Sequence, residues 1–91
     1  MNAIINVEPV KSGEYRVRVI EGRGETLHFV TMPPGEYQRL ACGKARPEEL
    51  LKRSFEFLLQ REPKESILPR FDITVISRYF PEFEQEMRDS L

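Results

Sequence analysis

Three runs of alternating apolar and polar residues, AIINVEPV, EYRVRVIE and TLHFVTM, follow one another at the start of the chain, separated by Lys11-Ser12-Gly13 and Gly22-Arg23-Gly24. Period-two alternation bounded by glycine-containing turns specifies strands that bury one face, and connections this short make neighbouring strands antiparallel. The expected result is a three-stranded meander. Its register follows from keeping apolar side chains together. A three-residue Gly22–Gly24 loop closed by Glu21 and Glu25 sets Val19 against Leu27, Val17 against Phe29 and Tyr15 against Thr31, with Gly24 in the left-handed position. A two-residue Gly22-Arg23 loop would instead set Val17 against His28, so the longer loop is expected. The same reasoning for the first hairpin pairs Val10 with Glu14, Val7 with Val17 and Ile5 with Val19, and gives Gly13 the equivalent loop position. The opposite face then sets Glu8 against Arg16, Asn6 against Arg18 and Ile4 against Ile20. Ile4, Arg16, Arg18, Ile20, His28, Val30 and Met32 together make the predicted outer surface of the sheet.

After the strands, MPPGEYQRLACG predicts a short helix, with proline where a missing N–H costs little and Gly43 where a helix stops. RPEELLKRSFEFLLQRE predicts a longer helix over 47–61, opening on Pro47 with Glu48 and Glu49 at the positive end of the dipole. At ~100° per residue, Leu50, Leu51, Phe55, Phe57, Leu58 and Leu59 fill an arc of about 200°, more than one sheet face covers. A second apolar layer must therefore meet this helix, from the C-terminal segment or from another subunit. In FDITVISRYF, Asp72 suits a helix N-cap, and Phe71 with Ile76 has the spacing of a hydrophobic staple. Pro81 ends that helix and starts another with Phe83 and Met87 on one side, while SILPRF reads as a single turn capped by Ser66. The whole is an α+β fold in one domain, 1–91: an antiparallel sheet over 1–32, a helix pair over 33–62 and short packing helices over 63–91.

Composition narrows the function. A net charge of −1 gives no whole-molecule attraction to phosphate. No apolar run approaches the roughly 20 residues that span a bilayer, and the first residues lack the basic and apolar regions of a secretion signal, so the expected location is cytoplasmic, with no membrane partner. Cys42 and His28 are the single cysteine and the single histidine. They sit on separate elements, which argues against a nucleophile–base pair, and they cannot make a zinc site of the usual kinds. Glu82, Glu84 and Glu86 read as a solvated helix face, and EGRGET lacks the Lys-Ser/Thr and following helix of a phosphate loop. No catalytic, metal-binding or cofactor-binding residue is expected, and no cofactor.

Arg16, Arg18, Arg23 and His28, with Tyr15 nearby, form a basic stripe of the kind a sheet can offer to RNA, although Arg16 already faces Glu8. LHFVTMPPGEYQRLACGKARPEELLKRSFEFLLQRE, residues 27–62, resembles the strand–helix–turn–helix order of ribbon-helix-helix repressors, including a PEEL start to the second helix. That resemblance implies a strand that pairs with a dimer mate and enters the major groove. Strands followed by helices also resemble small ribonuclease-H-like antitoxins that mask toxin nucleases. SFEFLLQREPKESILPRFDITVISRYFPEFEQEM, residues 54–87, resembles small prokaryotic proteins of uncharacterised function, which implies a shared domain and carries over no functional residue. The expected function is that of a non-enzymatic protein-interaction module, with a protein partner or a second copy bound at the outer sheet face. A DNA-binding regulator of ribbon-helix-helix or antitoxin type is the alternative.

Overall fold

A computed structural model describes residues 3–91. Strands β1 (Ile4–Lys11), β2 (Glu14–Glu21) and β3 (Gly24–Thr31) lie side by side and antiparallel, and a fourth strand, β4 (Arg70–Asp72), joins β3 in parallel. The helices are α1 (Pro34–Ala41), α2 (Pro47–Leu59), α3 (Thr74–Tyr79) and α4 (Phe83–Ser90), with a 3-10 turn at Lys64–Ser66. This is an α+β arrangement. Along β2 and β3 the buried apolar side chains are Val17, Val19 and Val30, and Met32 continues their side just beyond β3. Ile4, Asn6, Glu8, Arg16, Arg18, Ile20, Leu27 and Phe29 point the other way and are exposed or half-buried. The helical layer therefore covers one side of the sheet and leaves the other open.

The first hairpin keeps the expected pairs Ile4–Ile20, Ile5–Val19, Asn6–Arg18, Val7–Val17 and Glu8–Arg16. Its end slips: Lys11, not Val10, faces Glu14, through a bulge between Pro9 and Lys11. Pro9 has no N–H to give the ladder, so the irregularity falls where pairing is weakest. Gly13 takes φ +78° and accepts a 2.8 Å hydrogen bond from the Met32 N–H.

The second hairpin departs from expectation. Its loop has two residues, Gly22 and Arg23, closed by Glu21 and Gly24, and Val19 faces Thr26, Val17 faces His28 and Tyr15 faces Val30. Gly22 has φ +64° while Gly24 is not left-handed, so the glycine that matters occupies the first central position, as a type II′ hairpin turn requires. A slip of one residue turns every β3 side chain over. His28, Val30 and Met32, expected on the outer surface, lie in the core, and Leu27 and Phe29 take their place outside. The imidazole makes this possible. His28 is 1% exposed, with Nδ1 2.8 Å from the Leu68 carbonyl oxygen, Nε2 2.8 Å from the Thr26 hydroxyl, and its ring centroid 5.3 Å from that of Phe55. A buried polar ring with both nitrogens engaged carries little desolvation penalty.

The C-terminal third also differs from the predicted series of helices. Pro63 precedes the 3-10 turn, which ends at Ser66 instead of starting there, and Arg70–Asp72 is strand. Leu68 precedes Pro69 and is biased towards extended backbone. The Pro69 carbonyl then accepts the Phe29 N–H at 2.8 Å, and the Thr31 carbonyl accepts the Ile73 N–H at 2.9 Å. Helix α3 has Ile73 and not the expected Asp72 as its N-cap, and Asp72 ends β4 while tying it to the first turn of the helix: Oδ1 accepts the Thr74 N–H at 3.0 Å and the Thr74 hydroxyl at 2.7 Å, and the Thr31 hydroxyl donates to Oδ2 at 2.7 Å. Burial raises the Asp72 pKa, and these three hydrogen bonds outweigh it, leaving the carboxyl below its ordinary range.

Helix α2 is the centre of the packing. Leu50, Leu51, Phe55, Phe57 and Leu58 are all buried, with Ser54 among them donating its hydroxyl to the Leu50 carbonyl at 2.8 Å. Phe55 meets His28 and Phe71 on the sheet side, the latter at 6.1 Å. Phe57 meets Phe80 at 5.9 Å and Phe83 at 5.2 Å on the other flank. Each such side chain contributes about 1.5–3 kcal/mol by leaving water. Phe71 thus reaches α2 from within the sheet and Phe80 from the end of α3, whereas Tyr79 stays outside.

Candidate interaction surface

On the uncovered side of the sheet, alternation places Arg16, Arg18 and Ile20 of β2 between Ile4, Asn6 and Glu8 of β1 and Leu27 and Phe29 of β3. The cations are held by the face's own carboxylates. Arg16 Nη2 lies 2.6 Å and Nε 3.2 Å from Glu8 Oε1, and the hydrogen-bonded guanidinium holds Glu8 below the usual carboxylate range. Arg18 Nε lies 3.4 Å from Glu25 Oε2 without hydrogen-bond alignment, and among the described residues it is the one buried side-chain polar atom with no hydrogen bond. Arg70 of β4 donates to Glu14 Oε2 at 2.9 Å, and its guanidinium carbon stands 4.8 Å from the Phe29 ring centroid. Between these pairs, Ile4 is 57% and Leu27 40% exposed.

Of the predicted surface residues, Ile4, Arg16, Arg18 and Ile20 therefore share this face, and His28, Val30 and Met32 do not. Leu27, Phe29 and Arg70 were missed. The signal for the first two was the discarded two-residue loop, while Arg70 requires β4.

The other sequence candidates are separated. Cys42 is exposed at the end of α1 with φ +50°, its thiol 3.4 Å from the Arg39 carbonyl oxygen, while both nitrogens of His28 are engaged elsewhere. Glu82 and Glu86 bind Arg61, which lies 3.6 Å over the Phe57 ring, and Glu84 pairs with Arg39 at 2.6 Å. No group of three or more His, Cys, Asp or Glu among the described residues is placed to hold a metal ion. No helix among them is long and apolar enough to cross a membrane.

A second feature lies on the opposite side. An apolar groove of about 340 Å³ runs between the C-terminal end of α2 and α3, floored by Leu58, Ile67 and Ile76 and walled by Leu68 and Tyr79. Glu62 stands at its rim, and burial pushes its carboxyl above the ordinary value.

No family model, no curated protein and no solved structure matches this chain. Strand β3 is hydrogen-bonded to β2 along its length and to β4 only at Phe29–Thr31, so over those three residues its outer edge is taken by this chain's own β4, where the ribbon-helix-helix resemblance implied a dimer mate.

Proposed function

We propose that the protein is a non-enzymatic interaction module that self-associates through the open side of its sheet. The observation that supports this is the apolar surface of exposed Ile4 and Leu27 and half-buried Ile20 and Phe29, set between arginines already paired within the same face. Apolar surface of this kind is buried against protein, and with its charges internally balanced the face suits neither a strongly acidic nor a strongly basic partner. A second copy is the natural complement. Two identical twisted sheets can stack about 10 Å apart around a twofold axis, each repeating the same near-neutral pattern. Strands of eight residues at ~3.3 Å per residue and ~4.8 Å spacing make a modest footprint, at the low end of stable interfaces, so association should depend on concentration.

Sedimentation velocity over a wide concentration range tests the reading. Wild type should move from monomer towards dimer, and Leu27→Asp should remain monomeric with an unchanged circular dichroism spectrum. A wild-type coefficient that stays monomeric throughout rejects it. Phe29 on an inner strand beside Arg16 and Arg70 supports a second reading, stacking of single-stranded RNA bases. Salt-dependent retention on single-stranded RNA, lost in Phe29→Ala, would favour it.

A further inference from the structure

The groove between α2 and α3 is separate from the sheet face and poses a different problem. Its rim leaves two large side chains in water: Tyr79 is 70% and Leu68 45% exposed. Both stand at the edges of a concavity instead of closing over it, so the groove stays open above a floor of Leu58, Ile67 and Ile76 that shows only the tops of otherwise buried side chains. Glu62 is the one charged residue on the lining, and among the described residues its side chain makes no hydrogen bond and no ion pair. The neighbouring cations are committed elsewhere, Arg61 to Glu82 and Glu86 and Lys64 to Glu65. Burial alone perturbs the Glu62 carboxyl, with no cation offsetting it. A partly desolvated carboxylate beside an apolar trough is half of a recognition pattern, and its complement is a cation carried next to apolar groups.

We propose that this groove binds an amphipathic helical segment of a partner protein, which seats bulky apolar side chains on Leu58 and Ile76 and places one Lys or Arg against Glu62. The dimensions favour a peptide over a free small molecule. About 340 Å³ is near the bottom of the range for small-molecule sites, and walls as open as Leu68 and Tyr79 would leave such a ligand wet. A helix laid along the groove needs only its anchors enclosed and covers the walls with its own backbone and flanks. The Tyr79 and Ser66 hydroxyls at the lining can then bond to its polar side.

The test is a displayed library of helical peptides randomised on one face, selected against the intact protein and against Glu62→Lys, with binding sites mapped by NMR shifts. Wild type should enrich sequences with two or more large apolar residues flanking a Lys or Arg, and these should shift Leu58, Ile76 and Tyr79. Glu62→Lys should bind the same peptides at least tenfold more weakly, Glu62→Gln should fall between, and affinity should drop as acid protonates Glu62. Three outcomes overturn the proposal: no enrichment, enriched peptides without a basic residue, or peptides that keep their affinity for Glu62→Lys. Self-association through the sheet is read separately, since Glu62→Lys should leave the sedimentation of the free protein unchanged.

Discussion

The two sides of the sheet handle polar groups in opposite ways. The covered side admits His28, with both ring nitrogens bonded inside the fold and its ring against Phe55. The open side carries several charges, each answered by a neighbour on the same side, with Ile4 and Leu27 in water between them. Polarity as such does not determine which way a strand faces. A polar side chain can face the core where its polar atoms find partners, and His28 finds two there.

The largest expected effect separates two phenylalanines. Phe55→Ala should lower unfolding free energy by about 3–5 kcal/mol, because it removes the ring on which His28, Phe71 and the α2 core converge, whereas Phe29→Ala on the open side should lower it by only about 1 kcal/mol. Urea unfolding measures both, and similar losses would erase the distinction between the sides.

A middle effect concerns His28. Burial lowers its pKa from the ordinary 6.5, although the Leu68 carbonyl pulls the other way. The folded protein therefore favours the neutral ring. The stability this group contributes is complete above the unfolded value near 6.5 and is lost as pH falls towards the folded value. Urea midpoints at pH 7.5 and 5.5 should differ, and His28→Gln should be less stable at both and should lack this component of the difference. An undiminished pH dependence in the variant would place its origin elsewhere.

The smallest effect tests the turn that sets the β2–β3 register. Gly22→Ala should cost about 1 kcal/mol, since φ +64° strains any L side chain even though the space around it is open. Gly24→Ala should cost a few tenths, its added Cβ meeting only the end of the Lys64 side chain at 3.8 Å. The reverse order would favour the three-residue loop and with it an outward His28.

These same residues explain what the chain discloses before it is folded. The β1–β2 register was legible because apolar alternation and the Glu8–Arg16 charge pair favour the same alignment. The β2–β3 register was not. TLHFVT alternates in either phase, and choosing the face that holds Leu27 and Phe29 meant treating histidine as a surface residue, when its bonding partners lie 40 residues away at Leu68 and on its own strand at Thr26. Residues on β1 and β2 were accordingly assigned to the correct side and those on β3 to the wrong one. Strand β4 was hidden for a related reason: three residues carry no period, and Arg70–Asp72 is extended because β3 presents an unpaired edge. Pro69 gave the only local hint. The broad apolar arc of α2 did announce a second layer, and Phe80 and Phe83 supply it.

The parallel pairing of β4 with β3 joins Thr31 to Asp72, 41 positions apart. During synthesis the meander and α2 would leave the ribosome well before their last neighbour exists, with the β3 edge and the ring of Phe55 still awaiting Phe71. The newborn chain must wait for its own tail before the sheet is complete, and in that interval the unfinished edge is the place where chaperones or unwanted aggregation would first take hold.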